Sequence, residues 1–261
     1  MELHYFPPKD AARRCVLSAE SKAKLHAGKT LVLAVLAGAF LALAAAGSNA
    51  AQLAGAPRFV GGALFTGGLF MILLSGAELF TGNMLMSAAY LCQRVTIFSL
   101  LKNWILVYIG NAGGAVAVSL LLFSVTPYTR GFTESAEYLS GIVSAKAGMP
   151  LRDAFLLGIL CNVLVCMAVY TSYAAKDVAG KLLAAFFPIW LFVTSGYEHC
   201  VANMFYLWPA LQSGKLPQLL LHNLLPVTAG NAVGGITLAC AFYFVFIRNT
   251  NKPQTETENS K

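Results

Sequence analysis

A polar stretch inside a membrane-length apolar run constrains this chain more than any other feature. The stretch SGYEHCVANMF, from Ser195 to Phe205, lies between the runs FFPIWLFV and YLWPAL, which together are long enough to cross a bilayer. Gly196, Glu198, His199 and Asn203 fall inside that crossing. An ionisable side chain at membrane depth costs about 3 kcal/mol or more unless it lines a cavity or finds a partner. The pattern therefore predicts a transmembrane helix that is broken around a polar site.

A second copy of this pattern occurs in the first half of the chain. The stretch SGAELFTGNM, from Ser75 to Met84, repeats the serine, glycine, glutamate, asparagine and methionine, each 120 positions before its counterpart. The copies differ where Leu79 stands in place of His199. Each copy is followed by a GxxxG motif, which lets helices approach closely in lipid. The residues that match around these motifs are Asn103, Gly110, Asn111 and Gly114 with Asn223, Gly230, Asn231 and Gly234.

The composition indicates a membrane protein. Hydrophobic residues make up 57% of the chain and charged residues 11%, with a mean hydropathy of +0.67, which excludes a soluble globular protein. The start MELHYFPPKDAARR is polar and basic, so we expect no signal peptide. The net charge of +7 comes from basic residues that flank apolar segments. We interpret it as a determinant of membrane orientation rather than as a nucleic-acid surface.

The apolar runs predict six spans, of which the second and fifth are broken. Their approximate limits are 29–47, 59–90, 103–125, 151–174, 182–211 and 224–247. Three spans per repeat (about 29–125 and 151–247) invert the second copy relative to the first. The predicted fold is therefore an all-α membrane protein with two inverted three-helix repeats and an aquaporin-like protomer.

The six spans are assigned to a single channel domain, residues 29–248. One terminal segment precedes this domain and another follows it. Residues 1–28 are predicted to form a cytoplasmic amphipathic arm that lies on the membrane surface. The apolar side chains assigned to that surface are Leu17, Ala19, Ala23 and Leu25. Residues 249–261 are predicted to be a disordered cytoplasmic tail. If both termini lie on the cytoplasmic side of the cell membrane, 13 of the 18 lysines and arginines are also on that side. The positive-inside rule favours this orientation.

The candidate functional residues lie at the two breaks. His199 is placed at membrane depth beside Glu198, which favours a pathway residue that donates a hydrogen bond or a proton. A core histidine bonded to neighbouring backbone remains the alternative. Glu78 and Glu198 are expected to bond backbone amides exposed by the breaks, and Asn83 and Asn203 are assigned the same structural role. No metal or haem site is expected, because further ligands are lacking at this depth.

Bulky apolar side chains near the breaks predict a narrow pathway, with core packing as the alternative for each of them. These side chains are Leu69, Leu79, Phe80 and Phe192. Asn162 lies in the apolar run ILCNVLVCMAVY without an obvious partner and is predicted to face the pathway. Thr81 offers a hydroxyl at the same depth.

The segments GAELFTGN, ILCNVLVC, SGYEHCVANMF and HNLLPVTAGN resemble the formate/nitrite transporter family, and the resemblance covers nearly the whole chain. It implies a homopentamer with one substrate path through each protomer and a central histidine between two hydrophobic constrictions. Carried over by position, that histidine is His199, with Thr81 and Asn162 as its polar neighbours. The outer constriction is implied to pair Leu79 with Phe192, and the inner one to hold Leu69 with Phe65 close by. The basic residues implied near the two vestibules are Lys29 and Lys146.

Two classes of function are compatible with these residues. The first is a pathway for small monovalent anions of weak acids, formate above all, with nitrite and hydrosulfide as alternatives within the family. Because an apolar constriction opposes a bare charge, this pathway is predicted to neutralise the anion with a proton. The second is an intramembrane enzyme or redox subunit that uses His199, which needs a second titratable group at that depth. We favour transport, without a cofactor, and expect the partners to be the anion, protons and lipid, with no nucleic acid.

Overall fold

The computed structural model describes residues 5–125 and 132–248, which form helices joined by short connections. The predicted tail, 249–261, lies outside these ranges. The helices are α1 (Pro8–Ala23), α2 (Ala27–Leu53), α3 (Arg58–Ser75), α4 (Met86–Leu91), α5 (Ile97–Ser124), α6 (Phe132–Ala147), α7 (Leu151–Ser172), α8 (Val178–Ser195), α9 (Cys200–Asn203), α10 (Leu207–Gln212), α11 (Leu216–Leu219) and α12 (Leu225–Phe242). Short 3₁₀ turns cover Gly82–Leu85 and Met204–Tyr206, and π-helical turns cover Leu220–Leu224 and Tyr243–Ile247.

Within the described ranges, six helical segments are long and apolar enough to cross a membrane. They are α2, α3, α5, α7, α8 and the continuous stretch Leu216–Ile247. The protein is therefore a multi-pass membrane protein, and the predicted number of spans is confirmed. The helices extend beyond the predicted limits to Leu53, Ile97 and Leu216, because the polar residues next to those limits, Ser48, Lys102 and Asn223, lie inside the helices.

Both predicted breaks are present and begin at matched glycines. Helix α3 ends at Gly76 with φ 71°, and helix α8 ends at Gly196 with φ 75°. These left-handed conformations disfavour residues with a Cβ atom, which explains why glycine stands at both helix ends. The backbone is non-helical over residues 76–81 and 196–199 before short helices resume. The second and fifth spans are thus broken helices, as predicted.

Glycines also let the outer helices of each repeat pack closely. Helix α2 packs along α5, and helix α7 packs along α12. A Cβ atom at Gly114 would overlap the carbonyl of Val35, and one at Gly234 would overlap the carbonyl of Ile159. The GxxxG motifs therefore bring backbone into contact with backbone, the close approach that such motifs permit in lipid.

An asparagine side chain on α5 holds the first break in place. Asn111 Oδ1 accepts a hydrogen bond of 2.9 Å from the backbone N–H of Phe80. Its Nδ2 donates to the carbonyls of Ala34, at 2.7 Å, and Glu78, at 2.9 Å. One buried side chain thus satisfies backbone groups of the break and ties it to α2. Such groups must be bonded within the protein, because water is excluded at membrane depth.

The second break is held by the matched residue on α12. Asn231 Oδ1 accepts from the N–H of Cys200 at 2.8 Å. Its Nδ2 donates to the carbonyls of Gly158, at 2.8 Å, and Glu198, at 2.9 Å. The same bonding in both halves reproduces the inverted repeat at the level of single hydrogen bonds.

Helix α1 packs on the protein through one side, which corrects the expectation of a membrane-surface position for Ala19. Its buried residues are Ala11, Ala12, Cys15, Val16 and Ala19. Ala19, which the sequence assigns to the membrane-facing side, is one of them, whereas Leu17 from the same predicted set is 59% exposed. The buried side faces α4 and the end of the last span, where apolar groups of the channel domain cover it.

The contact between α2 and α5 yields a prediction with a control one residue away. Gly114→Ala places a methyl group against the Val35 carbonyl and should destabilise the folded protein by about 1–3 kcal/mol. Gly113→Ala meets nothing within 4 Å and should leave stability unchanged or slightly raised. Thermal unfolding in detergent measures both, and equal transition temperatures would contradict this packing.

Candidate functional site

The two breaks meet at one hydrogen bond in the centre of the protein. Thr81 Oγ1, from the first break, lies 2.8 Å from His199 Nε2, from the second. The other ring nitrogen of His199 accepts from the N–H of Ala202 at 3.1 Å. Because a nitrogen that accepts this bond carries no proton, we assign the proton of the neutral ring to Nε2, which donates to Thr81. A backbone contact alone, the alternative for His199, does not account for this second bond.

A cavity of about 410 Å³ opens from His199 toward helix α6, and we call it the α6 cavity. Two phenylalanines line it together with the histidine. The rings of Phe65 and Phe192 meet edge to face with centroids 5.9 Å apart. Phe192 also stacks on the His199 imidazole at 5.8 Å. Polar residues that line the cavity include Asn49, Arg58, Lys146 and Glu198.

A smaller cavity of about 190 Å³ lies on the side of helix α1, and we call it the α1 cavity. Leu69 and Leu79, both buried, line it. Phe65 and Phe192 thus lie together at the α6 cavity, and Leu69 and Leu79 lie together at the α1 cavity, whereas the family resemblance implies the pairs Leu79 with Phe192 and Leu69 with Phe65. Helix α3 explains the exchange, because Phe65 lies one turn, about 6 Å, nearer the α6 cavity than Leu69 does.

Two predicted pathway residues face other parts of the protein. The Phe80 ring packs edge to face on Tyr108 at 4.9 Å and lines neither cavity. Because the backbone N–H of Phe80 is bonded to Asn111 on α5, its ring lies against Tyr108, about one turn away on the same helix. Asn162 is fully buried and donates to the carbonyls of Thr81, at 3.2 Å, and Asn231, at 2.6 Å. It joins the two halves of the protein instead of lining either cavity.

Glu78 bonds side chains rather than the backbone amides that the sequence predicted. Its carboxylate accepts from Asn83 Nδ2 at 2.7 Å and from Asn103 Nδ2 at 3.5 Å. Its other oxygen pairs with Lys22 Nζ at 3.0 Å. The prediction failed because Asn111 already bonds the backbone of this break. Glu78 instead connects the break to α1 and α5.

Glu198 makes the equivalent contacts in the second half. Its carboxylate accepts from Asn203 at 2.7 Å and from Asn223 at 3.0 Å. Lys146 Nζ lies 2.8 and 2.7 Å from its two oxygens. Here too the predicted bonds to backbone amides are replaced by side-chain partners. The glutamate holds α6 against the break, so the buried charge is compensated.

Lys22, rather than Lys29, is the basic residue that corresponds to Lys146. Lys22 lines the α1 cavity, whereas Lys29 is exposed on the first turn of α2 and is outside that lining. Burial lowers the pKa of Lys22, but the Glu78 carboxylate, together with Tyr173 and Cys15, raises it, and the pKa lies above its ordinary value. Lys22 therefore remains charged at neutral pH.

A sequence signal for Lys22 existed but was hidden by a change of register. Helices α1 and α6 each have 16 residues and carry a basic residue in the last turn. The separation of Lys22 from Lys146 is 124 positions instead of 120. A constant offset therefore misses the pair, although each helix precedes the first span of its repeat.

The sequence profile described as "Formate/nitrite transporter" matches residues 9–245. The chain belongs to the formate/nitrite transporter family. It is 36% identical to the "Probable formate transporter" of Methanothermobacter thermautotrophicus, over 92% of this chain and 97% of that protein. It is 37% identical to the "Formate channel FocA" of Haemophilus influenzae, over 83% of this chain and 87% of that protein.

Solved structures of this family share the fold. A structure described as "Pentameric formate channel with formate bound" superposes with a TM-score of 0.73 at 26% identity, covering 84% of this chain and 96% of that one. An "FNT family ion channel" gives a TM-score of 0.74 at 25% identity, covering 90% and 98%. These relatives and structural neighbours are channels and transporters, so the chain is a transport protein and not an enzyme.

The ion pair between Lys146 and Glu198 yields a prediction on stability. Lys146→Met leaves the buried carboxylate of Glu198 without its cation and should destabilise the protein by about 3–5 kcal/mol. The double variant with Glu198→Gln removes the charge as well and should recover most of this loss. Thermal unfolding of both variants in detergent measures the difference. A double variant no more stable than Lys146→Met would contradict the pairing.

Proposed function

We propose that this protein carries formate across the cell membrane and neutralises the anion on the way. The assignment of formate is supported by the protein's family, whose named members include formate transporters and formate channels. The related structure described as pentameric supports assembly as a homopentamer with one path per protomer. Both termini are assigned to the cytoplasm, which places the α1 cavity inside and the α6 cavity outside.

The constrictions favour a neutral substrate on energetic grounds. An isolated anion that enters a low-dielectric passage faces an idealised cost of about 20 kcal/mol. Protonating a carboxylate with a pKa of about 4 at neutral pH costs only about 4 kcal/mol. The apolar side chains on either side of His199 therefore act as barriers to charge. A protonated acid passes them with the smaller penalty.

The hydrogen bond between Thr81 and His199 is the observation that carries the proposal. It joins His199, which lines the α6 cavity, to Thr81, which lies close to Leu79 and Gly82 of the α1 cavity. In the proposed pathway, the substrate meets these polar groups as it leaves one constriction and before it reaches the next. In our account, the substrate takes the place of Thr81 as acceptor of the Nε2–H bond, and water in the cavities supplies the proton. His199 orients the substrate while it is between the constrictions. Neutral histidine suits this role because it adds no buried charge.

The choice of formate over nitrite and hydrosulfide rests on the named relatives. All three are small monoanions of weak acids, so a neutralising pathway separates them only weakly by charge. An apolar constriction discriminates by about 1–3 kcal/mol per methylene-sized difference, so larger acids such as lactate are slowed. Nitrite and hydrosulfide carriers of the same architecture remain the competing assignment.

Flux through the purified protein in liposomes tests the substrate directly. With formate, nitrite, hydrosulfide and lactate at equal concentration and pH, we expect formate to be fastest or equal to the fastest and lactate to be slowest. A nitrite or hydrosulfide rate well above that of formate would remove the formate assignment.

The same assay includes His199→Phe as the pathway control. This substitution removes the hydrogen bond to Thr81 and fills the space with an apolar ring, so formate flux should fall about 10- to 100-fold. Size-exclusion chromatography checks that the variant still assembles. Assembled protein with normal flux would show that His199 takes no part in transport.

A further inference from the structure

The basic residues near the cavities differ in how much of their charge is compensated. Lys146 lies within 2.8 Å of both Glu198 oxygens, and Lys22 pairs with Glu78 at 3.0 Å. Each pair is formally neutral. These lysines therefore provide little net attraction for an anion that approaches from solution. A cation without a carboxylate partner would attract the anion more strongly.

Arg58 supplies such a cation at the α6 cavity. It is the first residue of α3, it is exposed, and it lines the cavity. Among the side chains that the structure describes, which leave out residues 126–136, no carboxylate lies within ion-pair distance of its guanidinium. Its positive charge is therefore available to a ligand in the cavity.

The local backbone makes room for the Arg58 side chain. A Cβ atom built on Gly196 would lie 2.6 Å from Nη2 and 2.9 Å from Nη1 of Arg58. The guanidinium thus packs against the backbone of the second break at Gly196. In the sequence, Gly196 is two positions before Glu198 and three before His199. The glycine that ends α8 also admits the arginine, which places a planar donor group beside the polar part of the pathway.

We propose that Arg58 is a carboxylate-binding residue at the mouth of the α6 cavity, which captures the substrate before it reaches the constriction. A guanidinium offers two parallel N–H groups that match the two oxygens of a carboxylate. Formate presents these two oxygens, whereas hydrosulfide presents a single sulfur atom. This inference rests on the proposed function and adds a residue that favours carboxylates on one side of the protein.

The two ends of the pathway differ in this respect. The position that corresponds to Arg58 in the second repeat is Val178, which is apolar and 57% exposed. The α1 cavity is lined by Lys181, whose ammonium is a point charge without a planar fork. Bidentate capture is therefore confined to the α6 side, although the two halves share their hydrogen bonds at the breaks.

The test compares formate and hydrosulfide flux in liposomes at concentrations well below saturation. Arg58→Gln should lower formate flux about fivefold, the upper end expected for an exposed charge pair. Arg152→Gln is the matched control, because it removes the same charge from an exposed helix start outside the cavity lining. It should leave formate flux unchanged.

Arg58→Lys separates charge from geometry. It keeps the positive charge but lacks the fork, so formate flux should fall while hydrosulfide flux stays near that of the wild type. Equal formate flux in Arg58→Gln and Arg152→Gln, or equal losses for both anions in Arg58→Lys, would overturn the assignment. A wild-type protein that moves no formate would instead remove the proposed function, and with it this role of Arg58.

Discussion

The structure depends on bonding the backbone of two interrupted helices where water is excluded. A break at membrane depth exposes N–H and C=O groups, and each unbonded group costs several kcal/mol. Asn111 and Asn231 remove this cost with three hydrogen bonds each. Because these bonds fix the breaks, they also determine where Leu79, Thr81 and His199 lie.

The buried glutamates extend this arrangement to the cavities. Glu78 and Glu198 each combine asparagine donors with one lysine from a helix that precedes the repeat. The pairs hold α1 and α6 over the two cavities and compensate two charges that would otherwise be costly to bury. The cavities are thus lined with charge that is largely neutralised, which increases the importance of an uncompensated group such as Arg58.

The sequence was sufficient for features that repeat at a constant offset. The broken spans, their glycines and the close helix pairs follow from residues 120 positions apart, and the structure contains all of them. The direction of single side chains was not available from spacing. Asn162 and Phe80 contact other parts of the protein and line neither cavity, because the rotation of a helix or loop is decided by its neighbours. Lys22 was missed because it is 124 positions before Lys146, whereas the other matched residues are 120 positions apart.

The central claim is that the anion crosses the apolar constrictions together with a proton. Parallel recording of formate uptake, internal pH and membrane current in liposomes tests it most directly. The account predicts one proton taken up per formate, no net current, and uptake that rises as the external pH falls from about 8 to about 5, since more substrate is then protonated. Uptake that is independent of pH over this range, with a current equal to the formate moved, would contradict it.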